Sequence, residues 1–285
     1  MRKLQPLKMI SSIFRYIFLH ISPLRYYSKI SAVGSSSSLP IIISLTTIPS
    51  RINKIRPQLK SLLHQTQPAS MIYLAIPIYS IREEKAYKIP DDLKSCSQIT
   101  ILNTEKDWGP ATKIIPTFLK EINNKDAIVI TVDDDNIYPK EFISTLVLTS
   151  EKYPDAALGL CGRNLTESLQ WPWNTKSEKG HQVRGLTEVD VIMGCGGMLV
   201  KPRYFNSDLY DYSQAPKEAF FVDDIWINGH LAKNGIHRII IPFKGSYVYW
   251  PSLFTLFTLS LDKTENIRPD NNNKVIKHFR DYWRQ

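Results

Sequence analysis

Three consecutive carboxylates, Asp133, Asp134 and Asp135, end an apolar run from Ile128 to Val132 in the stretch DAIVITVDDDNIYP. A short run rich in Ile and Val, bounded by polar turn residues, reads as a strand buried in a parallel sheet. Adjacent negative charges at its tip repel one another unless water or a cation lies among them. If extended geometry persists past Val132, side chains alternate with period two, and Asp133 and Asp135 share a side. Such a pair can hold a hard divalent cation, Mn²⁺ or Mg²⁺. Ligands of open α/β sheets bind in the crevice at the carboxyl ends of the strands. The triplet also reads as a solvated acidic turn, because Asp and Asn favour turns and Pro139 follows.

The elements that must position these acids alternate in type. Strands are expected at Ile41–Leu45, Met71–Ile78, Ile99–Thr104 and Ile128–Val132, with later ones in AALGLCG and HRIIIP. VDVIMGCGGMLVKPRYF reads as a strand, a Gly-rich bend and a second strand. INKIRPQLKSLLHQ has helical periodicity with Pro57 in its first turn, and EKDWGPATKIIPTFLKEI is a loop entering a helix. KEFISTLVLTSEKYP is a further helix, and FVDDIWINGHLAKNG opens on acids and closes at Gly235. This alternation predicts βαβ units and an α/β fold with a mostly parallel central sheet flanked by helices.

The length of 285 residues allows one large or two small domains, and 43% hydrophobic with 22% charged content is ordinary for a globular chain. Three cysteines, odd in number and without metal-ligand spacing, argue against a disulfide framework and for a reducing compartment. The net charge of +9 is concentrated at one end, since eleven basic residues and no acidic one precede Glu83. That asymmetry predicts a polyanion or an anionic membrane as a neighbour of the N-terminus. MISSIFRYIFLHISPL, Met9 to Leu24, is apolar but interrupted by Arg15, His20 and Pro23. It suits an amphipathic helix lying in a membrane interface; a signal or anchor and a plain packing helix are the alternatives. The chain thus divides into a basic amphipathic segment with a Ser-rich linker at 1–38 and a folded domain at 39–285. No nucleic-acid recognition module occurs.

The order of the first strand, DWGPATK, the strand ending in the Asp triplet, GCGG, and VDDIW on a helix start resembles that of GT-A (Rossmann-like) glycosyltransferases. From about Ile41 to Pro242 it is similar to bacterial members related to the large family 2 group. The resemblance implies a nucleotide-sugar-binding half at 39–140 and an acceptor-binding half with a C-terminal tail at 141–285. It implies donor contacts from Thr46, Thr47, Arg51, Asp107, Gly109, Lys113, Asp133 and Asp134, with Asp133 near the ribose or sugar or, since the third Asp leaves the register open by one, Asp134 turned toward the donor sugar instead. Asp135 and Asp133 would hold Mn²⁺ or Mg²⁺, with His278 or His237 as candidate third ligands. Asp224 would be the base that takes the acceptor proton, beside Asp223, although two acids there also stabilise a helix dipole by about 0.3–1 kcal/mol each. Gly196, Gly197, Trp171 and Trp173 would border the acceptor.

The implied activity is a metal-dependent, inverting transfer from a nucleotide-sugar, a UDP-sugar first, to a glycan or lipid-linked acceptor. Its expected setting is cell-surface polysaccharide synthesis at the cytoplasmic face of the membrane. A retaining transferase, a sugar nucleotidyltransferase or a non-catalytic membrane-associated partner are the rival expectations. The glycine-rich signature loop of a nucleotidyltransferase is missing from LTTIPSRI.

Overall fold

The apolar runs assemble into one eight-stranded sheet in a computed structural model that describes residues 6–30, 39–245, 247–255 and 270–284. Its strands are β1 (Ile41–Thr46), β2 (Met71–Pro77), β3 (Ile99–Thr104), β4 (Ile128–Thr131), β5 (Ala156–Gly159), β6 (Thr187–Glu188), β7 (Met198–Val200) and β8 (His237–Ile240). They lie in the order β6-β8-β5-β7-β4-β1-β2-β3. β4, β1, β2 and β3 run parallel, and so do β5 and β8. The chain is therefore α/β, with a large, mostly parallel central sheet flanked by helices.

Two strands depart from the expected parallel run. β7 is antiparallel to both β4 and β5, and the edge strand β6 is antiparallel to β8. After β5 the chain does not cross back over the sheet. Cys161–Arg163 instead pairs with Glu178–Lys179 and Val191–Ile192 in a small antiparallel sheet beyond the carboxyl end of β5. The chain re-enters from that end, so β7 must run the opposite way. This also splits AALGLCG at Leu160 into two strands in different sheets.

The helices are α1 (Pro6–Ile21), α2 (Leu24–Ile30), α3 (Arg56–Leu63), α4 (Asp91–Lys94), α5 (Ile115–Lys120), α6 (Phe142–Lys152), α7 (Asp223–Lys233) and α8 (Asp270–His278). α3 starts only at Arg56 because Pro57, lacking an N–H, is tolerated in the first turn and not inside a helix. Alternation along β1 sends Ile41, Ile43 and Leu45 into a core with α1, α3 and α6. Ile42 faces a second core with α5, α7 and α8, where Trp226 and Phe279 are packed.

The N-terminal segment is packed against the domain. Arg15 donates to the carbonyls of Tyr138 at 2.8 Å and of Ser61 and His64 at 3.2 Å each, while Leu19 and Tyr27 are fully buried. Pro23 separates α1 from α2, a helix the sequence pattern does not announce. The Ser-rich linker, Gly34 to Ser38, lies outside the described residues. Among the described residues no helix is long and apolar enough to cross a membrane.

Gly197 opens β7 at φ +74°, and a Cβ there would lie 2.4 Å from Cζ of Phe142. Gly197→Ala is expected to destabilise by about 2–4 kcal/mol, from a disfavoured backbone region and overpacking together. Urea unfolding measures this; an unchanged midpoint would show that α6 yields without cost.

Candidate active site

β1 and β4 are neighbours, so the loops leaving their carboxyl ends face one another across the sheet edge. There they border a cavity of about 380 Å³. The acids of the triplet leave β4 toward two cations, Asp133 toward Lys113 and the other two toward Arg51. Asp134, 8% exposed, accepts from Thr47 Oγ1 at 2.6 Å and from Arg51 Nη1 at 2.9 Å. It thereby pins the β4 turn to the β1 loop. Asp133 accepts from Lys113 Nζ at 2.8 Å. The carboxylate of Asp135 lies farther from Arg51, at 3.6 Å, and its side chain is 36% exposed. Burial, then the neighbouring charges of Asp134 and Asp133, push the Asp135 carboxyl up to about 7.

Lys113 joins the triplet to the second acidic pair. Its buried ammonium lies 2.7 Å from Asp223 Oδ2, an ion pair without hydrogen-bond alignment, and 3.9 Å from Asp224 Oδ1. Burial alone would discharge the lysine, but Asp133, Asp223 and Asp224 outweigh it and hold its pKa well above the usual range. Asp224 accepts from the Gly194 backbone N–H at 2.9 Å. Burial, then Asp223, raises the Asp224 carboxyl to about 8 against the opposing pull of Lys113. A side chain at 194 would displace the site's charged groups: a Cβ would sit 2.5 Å from Lys113 Nζ and 2.9 Å from Asp224 Oδ1.

Thr46, Thr47, Arg51, Asp107, Gly109, Lys113, the triplet, Asp223, Asp224 and Trp171 all line this one cavity. Several are already engaged within the protein. Thr46 Oγ1 donates to the Ala75 carbonyl, and Asp107 accepts from the backbone N–H groups of Gly109 and Ile81. Four candidates lie off the lining. Gly196 packs on Cys161 and Gly197 on Phe142. Trp173, 40% exposed, stands edge-on to Trp171 at 6.3 Å. His278 stacks on Trp226 at 5.9 Å. His237, the other histidine considered, is an exposed partner of Glu188.

Residues without a sequence signal complete the lining. Arg82 and Tyr87 come from a small hairpin after β2, and Tyr87 donates to the Thr47 carbonyl at 2.8 Å. Asn272 reaches in from α8. Phe220 and Phe221, which the sequence reading did not single out, stand one residue before the acidic pair in FFVDD, a proximity that could have marked them.

The lining opposes six carboxylates (Asp107, Asp133, Asp134, Asp135, Asp223, Asp224) to three cations (Arg51, Arg82, Lys113). With its acids ionised it repels an anion unless a cation enters too. Among the described residues no three His, Cys, Asp or Glu side chains are placed to hold a metal by themselves. A nucleotide-bridged Mg²⁺ needs only one or two carboxylates, with phosphates and water as its other ligands. Asp135, open to the cavity and crowded by like charge, fits that demand, with Asp133 beside it. The sequence matches no protein-family model and no curated protein.

The raised carboxyls set a pH dependence. Asp135 and Asp224 take up protons on folding, so their stabilising contribution is full below the unfolded carboxylate range and is lost as pH rises toward about 7 and about 8. In chelator the melting temperature is expected to fall between roughly pH 5 and 8. Added Mn²⁺ should restore most of the loss at the alkaline end, as read by differential scanning fluorimetry. A flat, metal-insensitive profile would contradict this electrostatic account.

Proposed function

We propose that the chain is a GT-A glycosyltransferase that moves a sugar from a nucleotide-sugar, a UDP-sugar first, to a glycan or lipid-linked acceptor, with inversion at the anomeric carbon. Supporting it is a single observation: one buried lysine joins two carboxylate groups that open on the same cavity. One group, Asp133 with Asp135, suits a divalent cation. The other places Asp224 at a helix start with a strengthened affinity for protons.

A bound Mn²⁺ or Mg²⁺ would supply Lewis-acid neutralisation of the departing nucleoside diphosphate. The protein's own groups do the rest. Arg51 and Thr47 hold Asp134 and so fix the turn that presents Asp133 and Asp135. The Gly194 N–H fixes Oδ1 of Asp224 and orients that carboxylate. A carboxyl near pKa 8, the value left after the opposing pull of Lys113, accepts a proton more readily than an ordinary aspartate, and its base form grows as pH rises toward about 8. Trp171, Phe220 and Phe221 give the cavity flat apolar faces of the kind that stack on a sugar ring. Asp223 acts through Lys113, since its carboxylate is the closer of the α7 pair to the ammonium.

Two variants test the reading. Asp135→Ala should keep the fold yet lose Mn²⁺-dependent protection by nucleoside diphosphates in thermal unfolding. Asp224→Asn should lose turnover about 10²–10⁴-fold while donor affinity stays within a factor of about two. NMR of the product should show the anomeric configuration inverted. Nucleotide binding equally tight in chelator, a retained configuration or a fully active Asp224→Asn enzyme would each overturn the proposal.

A further inference from the structure

The face of α1 turned away from the domain is as apolar as the face that docks. Ile10, Ile13, Phe14, Ile17, Phe18 and Ile21 are each 43–75% exposed. Ile10, Phe14, Ile17 and Ile21 recur at the spacing of one helical stripe. The opposite side holds Arg15 and Leu19, which fix the helix to α3 and to Tyr138. A ridge 16 residues long spans about 24 Å, and an apolar surface of that extent on a soluble domain marks an interaction site.

The ridge continues onto a second chain segment. Leu253 and Phe254 are 49% and 46% exposed, and the Phe254 ring meets the His20 ring edge-on at 5.1 Å. The loop that carries them is tied to α1 on one side. Tyr16 donates to the Pro251 carbonyl at 2.5 Å, and the Leu253 N–H donates to His20 Nε2 at 3.1 Å. On its other side the loop holds the acidic triplet, where the Ser252 N–H donates to the Asp135 carbonyl at 2.7 Å.

Charge identifies the occupant. Arg2, Lys3, Lys8, Arg25 and Lys29 surround the ridge in sequence, and no acidic residue precedes Glu83. A second copy of this chain would bring like charge against like, whereas an anionic lipid surface complements it. Tyr26, half exposed and edge-on to Phe18 at 5.9 Å, is a ring type that settles at headgroup depth. A 16-residue helix is too short to span a bilayer, which needs roughly 20 residues.

We propose that the α1 ridge together with Leu253 and Phe254 forms one seat for an anionic bilayer surface, with α1 lying in the interface plane. The seat stands apart from the chemistry read in the cavity. The loop between them places it one hydrogen bond from the backbone of Asp135.

Cosedimentation of the full chain with phosphatidylcholine vesicles, with and without about one-third phosphatidylglycerol, tests this at about 0.15 M salt. The chain should pellet with the anionic vesicles and much less with the neutral ones. The variant combining Phe14→Glu, Ile17→Glu and Phe254→Glu changes only exposed side chains, so its near-UV circular dichroism should be unchanged. Its apparent vesicle affinity should drop at least about tenfold. Lys8→Glu with Lys29→Glu keeps the apolar ridge and should also lose the preference for anionic vesicles. Undiminished pelleting of either variant overturns the seat. So does a dimer, seen by light scattering, that the first variant dissolves while the native chain ignores vesicles.

Discussion

The ammonium of Lys113 is the one charge on which the arrangement of the cavity depends. It sits at the end of a short 3₁₀ turn, Gly109–Lys113, and its own carbonyl accepts from Ser44 in β1. Its side chain then meets Asp133 beyond β4 and Asp223 at the start of α7. Three distant parts of the chain therefore converge on one buried cation. A lysine in such a place is unfavourable alone, since burial strips its hydration, and it stays charged only because carboxylates surround it. The converse also holds. Asp133, Asp223 and Asp224 can stand this close together only around that ammonium. Gly194 belongs to the same arrangement because any side chain there would occupy the space where lysine and carboxylate meet.

Three adjacent aspartates also illustrate how neighbours of one residue type acquire different work. Asp134 is neutralised by Arg51 and a hydroxyl, Asp133 by Lys113, and Asp135 by a longer ion pair only. Burial and the two neighbouring carboxylates push the Asp135 carboxyl up to about 7. Asp135, with the least favourable company and an open side, is the carboxylate on which a divalent cation would gain most.

Much of this architecture could be read from the chain. Apolar runs such as Ile128–Val132 announce buried strands because they are short, β-branched throughout and bounded by polar turn residues. The start of α3 at Arg56, with Pro57 in its first turn, and the closure of α7 by Gly235 follow from local backbone rules. Period-two alternation does not carry through the triplet, because the strand ends at Thr131 and Asp134 and Asp135 lie in a turn, both on the side of Arg51. What stayed hidden depends on tertiary placement. Of the glycines in MGCGG, Gly194 meets the acids whereas Gly196 and Gly197 back onto Cys161 and Phe142, and no periodicity ranks them. Tyr87 and Asn272 reach the cavity from a hairpin and a late helix that carry no motif. The antiparallel sense of β7 was invisible for the same reason: it follows from where the preceding small sheet leaves the chain.

That short antiparallel strand has a consequence for how the molecule comes into being. β1 to β4 form one group and β5, β8 and the antiparallel edge strand β6 another, and β7 is the strand that pairs with both. Before Met198–Val200 insert, the nascent sheet has unsatisfied edges at β4 and β5, the kind that recruit strands from other chains. Thr131 must wait for Met198, 67 residues later, to close that gap. Closing such long-range pairings is slow, because loop entropy is spent before the contacts return it. A chain still on the ribosome with its triplet already synthesised has therefore no cavity. The acids of β4 have neither the Gly194 bend nor α7 to meet until those later segments are made, so the site cannot form before the second half of the fold is present.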